Sequence, residues 1–198
     1  MRNIVFFLIV IIPVLGNAQI ENKSNWQLSY YGDLIFHPGF QVGYHVPFKK
    51  WEKVKQRKGI KVTKNKSLSW GADFIYYKHP KHHHGLVLSP NISYQRIKQN
   101  GNYFQTKFSL GYHRSFVDGI TYIVDVNGQV ESKRFVGQGT LYNSLSFDFG
   151  KDLRVRKDKP FRYFFQIGIS GRFPHNKSYL PSIHSGLGIH YFFKSNKK

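Results

Sequence analysis

Phe161-Arg162-Tyr163-Phe164-Phe165-Gln166-Ile167-Gly168-Ile169-Ser170 is the stretch on which the reading of this sequence turns. In an extended chain Phe161, Tyr163, Phe165, Ile167 and Ile169 point one way, while Arg162, Gln166, Gly168 and Ser170 point the other. One face is large and apolar, the other polar or small. The pattern recurs. Phe40, Val42, Tyr44, Val46 and Phe48 stand against Gln41, Gly43, His45 and Pro47. Leu86, Leu88, Pro90, Ile92 and Tyr94 stand against Ser89, Asn91, Ser93 and Gln95, and Leu187, Ile189, Tyr191 and Phe193 against Gly186, Gly188 and His190. Similar runs occupy residues 68–76, 104–113 and 141–150, and a weaker one (Trp26, Leu28, Tyr30) precedes an expected Pro38-Gly39 turn.

Alternation alone fits a half-buried soluble sheet as well as a membrane barrel. The chemistry of the faces separates them. A small soluble barrel encloses its apolar face and charges its exterior. Here every strand has an aromatic or aliphatic face, and its other face is Ser, Gly, Gln, Asn, His and a few ions. A chain this short cannot cover such a belt, but lipid can. Strands of about 10 residues also suit a tilted bilayer crossing. The expected fold is all-β: an antiparallel up-and-down transmembrane β-barrel in a single domain spanning residues 19–198.

The first residues are read as an export signal. Met1-Arg2-Asn3 is a short basic start, residues 4–15 are almost wholly apolar, and Gly16-Asn17-Ala18 supplies small residues before cleavage at Gln19. Twelve apolar residues are too few for a helical span, which needs about 20. The 198 residues carry 30 Lys and Arg against 10 Asp and Glu, a formal charge of +20, and no Cys. The lack of Cys excludes disulfide scaffolds, thiolate chemistry and zinc fingers. An exported chain makes nucleic acid an unexpected partner despite the charge.

The signal segment, the short alternating strands and the aromatic last strand (Gly186-Leu187-Gly188-Ile189-His190-Tyr191-Phe192-Phe193) resemble the small outer-membrane β-barrel proteins of Gram-negative bacteria. The segments His37-Pro38-Gly39-Phe40-Gln41-Val42-Gly43-Tyr44 and Phe116-Val117-Asp118-Gly119-Ile120-Thr121-Tyr122 resemble, more narrowly, an uncharacterised group from Bacteroidota. The resemblance implies outer-membrane localisation and carries no catalytic motif.

Such barrels have an even number of strands. Counting the Trp26 run as the first strand gives eight, with the Asn127-Gly128 hairpin signal in residues 117–137 as an excursion; counting that hairpin into the wall gives ten. Either count puts residues 49–66 on the side of the chain termini, which is the periplasmic side. Loop length and charge argue for the other side, so sidedness stays open.

Residues 49–66 are read as a basic loop of eight Lys, Arg57 and one Glu, net +8. Lys49, Lys50, Lys53, Lys55, Arg57, Lys58 and Lys61 are its candidate anion contacts, with lipopolysaccharide or other outer-membrane lipid, a glycan or an envelope protein as partner. Trp51, Val54, Ile60 and Val62 within it hint at order. His45, Asp73, Lys107, His113, Asp148, Arg162 and His190 are expected inside the barrel, where charges must pair. The run Lys78-His79-Pro80-Lys81-His82-His83-His84 is read as a polar turn. Neighbouring His residues alternate sides, which leaves His82 and His84 as metal candidates, with Lys78 and Lys81 disfavouring a cation. No cofactor is expected. A lipid-modifying enzyme would need a nucleophile beside a base, and His184-Ser185 face opposite ways on a strand. The remaining alternative, a soluble periplasmic carrier barrel, requires the aromatic face to point inward.

Overall fold

The computed structural model describes residues 24–57, 60–80, 82–124, 127–134, 136–175 and 178–193. The expected signal segment, its cleavage site and Lys58 lie outside these, and of Lys55, Arg57 and Lys61 the backbone alone is described.

In chain order the strands are β1 (Asn25–Asp33), β2 (His37–Arg57), β3 (Ile60–His79), β4 (His83–Lys98), β5 (Asn102–Val117), β6 (Ile120–Val124), β7 (Val130–Arg134), β8 (Gly139–Asp152), β9 (Phe161–His175) and β10 (Ser178–Phe192). One helical turn, α1 (Arg154–Lys157), separates β8 from β9. Eight strands close in the order β1-β10-β9-β8-β5-β4-β3-β2, while β6 and β7 pair only with each other. All the pairings are antiparallel. The count is therefore eight, with the Trp26 run as first strand and the Asn127-Gly128 hairpin outside the wall. Gly128 has φ +79°, the left-handed geometry such a turn requires.

Two sequence expectations are corrected. The first turn is Leu34 to Phe36, and Pro38 and Gly39 lie inside β2, paired with Gly32 and Tyr31. Gly39 is small because β3 approaches it: a Cβ there would collide with the Tyr76 carbonyl oxygen. Of residues 49–66, read as a loop, 49–57 and 60–66 instead form a ladder that runs out to the pair Arg57↔Ile60. Isolated β-formers among the lysines are enough to extend strands that are already paired below.

The barrel is inside out relative to a soluble one. Leu28, Leu88, Ile92, Phe108, Tyr112, Ile169 and Leu187 are among the exposed apolar side chains, and Gln27, Asp73, Gln105, Lys107, Asp148 and Arg162 are among the buried polar ones. The carrier-barrel alternative fails on this point. The interior is less uniformly polar than expected, however. Tyr31, Ile75, Tyr77, Val87 and Tyr142 form an apolar cluster inside it.

Candidate functional site

The seven predicted interior residues are all buried, at 0–2 % exposure. They fall into separate groups along the barrel. Near the middle, Lys107 Nζ donates to Asp73 Oδ2 at 2.8 Å and His45 Nε2 lies 3.2 Å from Asp73 Oδ1. Glycine makes the room for this. In the register Gly43↔Asp73 and His45↔Gly71, each large side chain faces a glycine whose Cβ would strike it. Asp148 accepts from Gln166 at 2.9 Å. The space enclosed by Asp73, Lys107, Tyr142, Gln166 and His184 is about 10 Å³, at most the room of one water. Nothing here resembles a wide pore.

Towards the chain ends, Arg162 donates to Asp152 Oδ2 at 2.8 Å and to Gln95 at 3.1 Å, and its guanidinium lies over the Tyr103 ring. Arg154 holds the same carboxylate at 2.6 Å. His190 Nδ1 meets Asn25 Oδ1 at 2.8 Å. Towards the opposite mouth, His113 bridges Thr140 at 3.0 Å and Tyr77 at 2.9 Å. There Asp33 takes Arg172 at 2.9 Å and Ser182 at 3.0 Å. The sequence reading missed Asp33, Asp152 and Arg172. They keep the inward parity of their strands but lie just past the ends of the runs read as strands, at residues 26–30, 141–150 and 161–170.

The basic segment gains its geometry from one irregularity. Pro47 pairs with Ser69 but Lys49 with Leu68, so Phe48 is an extra residue in β2. A bulge of this kind shifts the parity of everything beyond it. Without it Lys50, Glu52 and Val54 would continue the outward face; with it Lys49, Trp51 and Lys53 do, opposite Leu68, Lys66 and Lys64. Two contacts fix the direction. The Trp51 ring lies 6.1 Å from the outward-facing Tyr94, and Lys66 Nζ stands 5.8 Å over the same ring. On the next strand pair Arg96 stacks over Phe104 at 5.8 Å. The inward parity, with Lys50, Glu52, Asn65 and Ser67, lines a cavity of about 350 Å³ at the barrel mouth beside Arg154 and Arg162, and Trp51 and Lys66 border it as well. The predicted anion contacts are thus divided. By register Lys49 and Lys53 take the outer parity and Lys50 the inner.

The metal candidates His82 and His84 do not converge. His84 Nδ1 meets the Tyr76 hydroxyl at 2.5 Å on the outer wall, and His82 belongs to the turn. As for catalysis, His184 is buried and stacks on Tyr31 at 5.3 Å, while Ser185 has the outward parity. Tyr76, His84 and Asp118 line an outer groove of about 660 Å³ in the order nucleophile, base, carboxylate. His84 Nε2 is 3.8 Å from Asp118, too far for the hydrogen bond that would orient a base.

No protein-family model matches this chain, and no curated protein matches it. Solved structures do. The outer membrane enzyme PagL has 8% identity and a TM-score of 0.46, over 84% of this chain and 98% of its own. Neisserial surface protein A has 11% identity and a TM-score of 0.49, over 87% and 96%. Ail of Yersinia pestis, solved in complex with the heparin analogue sucrose octasulfate, has 15% identity and a TM-score of 0.32, over 88% and 100%. These neighbours are outer-membrane β-barrel proteins, one an enzyme. The barrel of the present chain is established by its own strand pairing.

Proposed function

We propose that this chain is an exported, non-enzymatic outer-membrane barrel that engages anionic lipid head groups through the outward edge of the β2–β3 extension. The register shift between Pro47 and Lys49 carries this reading. It continues the lipid-facing wall into a stripe of Lys49, Trp51, Lys53, Lys64 and Lys66, at the level just beyond Phe48 and Leu68 where head groups begin. Lys53 and Lys64 are direct cross-strand partners, so the stripe sets two cations side by side. On the usual arrangement of such barrels, with both chain ends periplasmic, the phosphates of the inner leaflet are the ones within reach. A glycan or protein ligand would instead be served by the inward parity at the mouth. The separation of His184 from Ser185, and of His84 from Asp118, supports a binding role over catalysis.

The test is native mass spectrometry of the detergent-solubilised barrel in a mixture of zwitterionic and anionic phospholipid. Wild type should retain anionic lipid, and retention should fall with salt, since each exposed contact contributes less than about 1 kcal/mol and is screened over about 8–10 Å. Joint replacement of Lys49, Lys53, Lys64 and Lys66 by Gln should abolish retention, and Lys50→Gln should leave it. Equal retention by the fourfold variant would overturn the assignment.

A further inference from the structure

We propose a transition-metal site just inside the barrel mouth remote from the chain ends, built from Asp33, His37 and His79 with His83 packed beside them, and suited to Zn²⁺. Strand register assembles it. Asp33 and His37 are partners across β1 and β2, and His79 and His83 are partners across β3 and β4. All four hold the inward parity of their strands, so four adjacent strands each bring one ligand-bearing residue to one rung. The rings are in contact: His37 and His79 have centroids 3.4 Å apart, His79 and His83 4.4 Å.

One donor atom each from Asp33, His37 and His79 lies within 4.8 Å of the other two. Asp33 Oδ2 and His79 Nε2 are 3.1 Å apart, close to the edge of about 3.3 Å in a tetrahedron with bonds of about 2.0 Å. Positioning contacts are present as well. His37 Nδ1 is 3.1 Å from the Asp33 carbonyl oxygen; donating there, it leaves the Nε2 lone pair for a metal. Arg172 and Ser182 fix the Asp33 carboxylate. Imidazoles with one carboxylate select Zn²⁺, Cu²⁺ or Ni²⁺ over the oxygen-seeking Mg²⁺ and Ca²⁺. Arg172 shares the carboxylate and repels a dication, which keeps affinity below that of a thiolate site. A bound ion would tie the first two hairpins together at the mouth.

The test uses the untagged, detergent-solubilised full chain, titrated with Zn²⁺ against a chromophoric chelator and, separately, with Co²⁺ read by its visible spectrum. One equivalent of Zn²⁺ and the intense bands of tetrahedral Co²⁺ are expected. His37→Gln and His79→Gln should each weaken binding by about tenfold or more. His82→Gln and His84→Gln should leave it unchanged, and unboiled gels should show every variant as a folded barrel. The site is overturned if wild type fails to compete with the chelator. It is overturned equally if His37→Gln and His79→Gln bind as wild type does, or if binding is lost in His82→Gln or His84→Gln. Should either ligand variant fail to fold, the wild-type Co²⁺ spectrum decides: weak octahedral bands overturn the site.

Discussion

The barrel's two mouths are organised on different principles. At the chain-end mouth the wall continues: β2 and β3 stay paired beyond it to Arg57↔Ile60, and the bulge at Phe48 turns Lys49 and Lys53 outward and Lys50 inward. At the opposite mouth the wall stops, and the chain leaves as β6 and β7, a two-stranded sheet of its own. The first extension carries a net +8, whereas residues 120–134 contain two acidic and two basic residues and sum to zero. Each mouth has a carboxylate clamped by arginine, but Asp152 holds two arginines and Asp33 holds one with a serine and a histidine. Charge placed on a continuous ladder inherits the wall's orientation. Charge placed on a detached hairpin inherits nothing from it.

The largest expected effect tests that inequality between the clamps. Asp152→Ala strands Arg162, whose side chain is 1% exposed, and should cost about 3–5 kcal/mol in the unfolding free energy in urea. Asp33→Ala strands Arg172, at 8% exposure nearer the mouth, and should cost less. Equal losses would mean the two mouths are equally closed to water. Next come substitutions between the mouths. Phe108→Arg and Ile167→Arg lie on the exposed apolar wall and should each cost about 2–4 kcal/mol near the bilayer midplane, seen as a reduced folded fraction on unboiled gels. Normal folding of both would remove the lipid-facing wall on which the comparison depends. The smallest effect belongs to the detached sheet. Replacing residues 120–134 by a short turn should change stability by no more than about 0.5 kcal/mol. A larger loss would show that β6 and β7 brace the barrel and are not merely appended to it.

Much of the wall was legible in the sequence. Each strand repeats one alternation, and a period of two assigns faces without any partner being known. The same alternation placed His45, Asp73, Lys107 and Arg162 inside, as buried positions of the wall. It could not say that His45 and Asp73 would cross over Gly71 and Gly43, since that depends on how β2 slides against β3. The basic segment was legible as charge and misread as a loop, because its scattered Trp51, Val54 and Val62 are too few to signal a strand. What extends it is the pairing already established below.

The barrel follows from the chain's own pattern: repeated alternation and an apolar face too large for the chain to cover leave lipid as the medium that suits it. The sites follow from strand pairing instead. Whether a lysine at position 53 faces head groups or the mouth depends on one unpaired residue, Phe48, and an insertion of one reverses every side chain beyond it. Whether His37 meets His79, 42 positions along the chain, depends on where two hairpins end relative to one another. Local pattern fixes faces because side-chain direction is a property of the backbone at each residue. Register is a property of pairs of strands, and no single strand carries it.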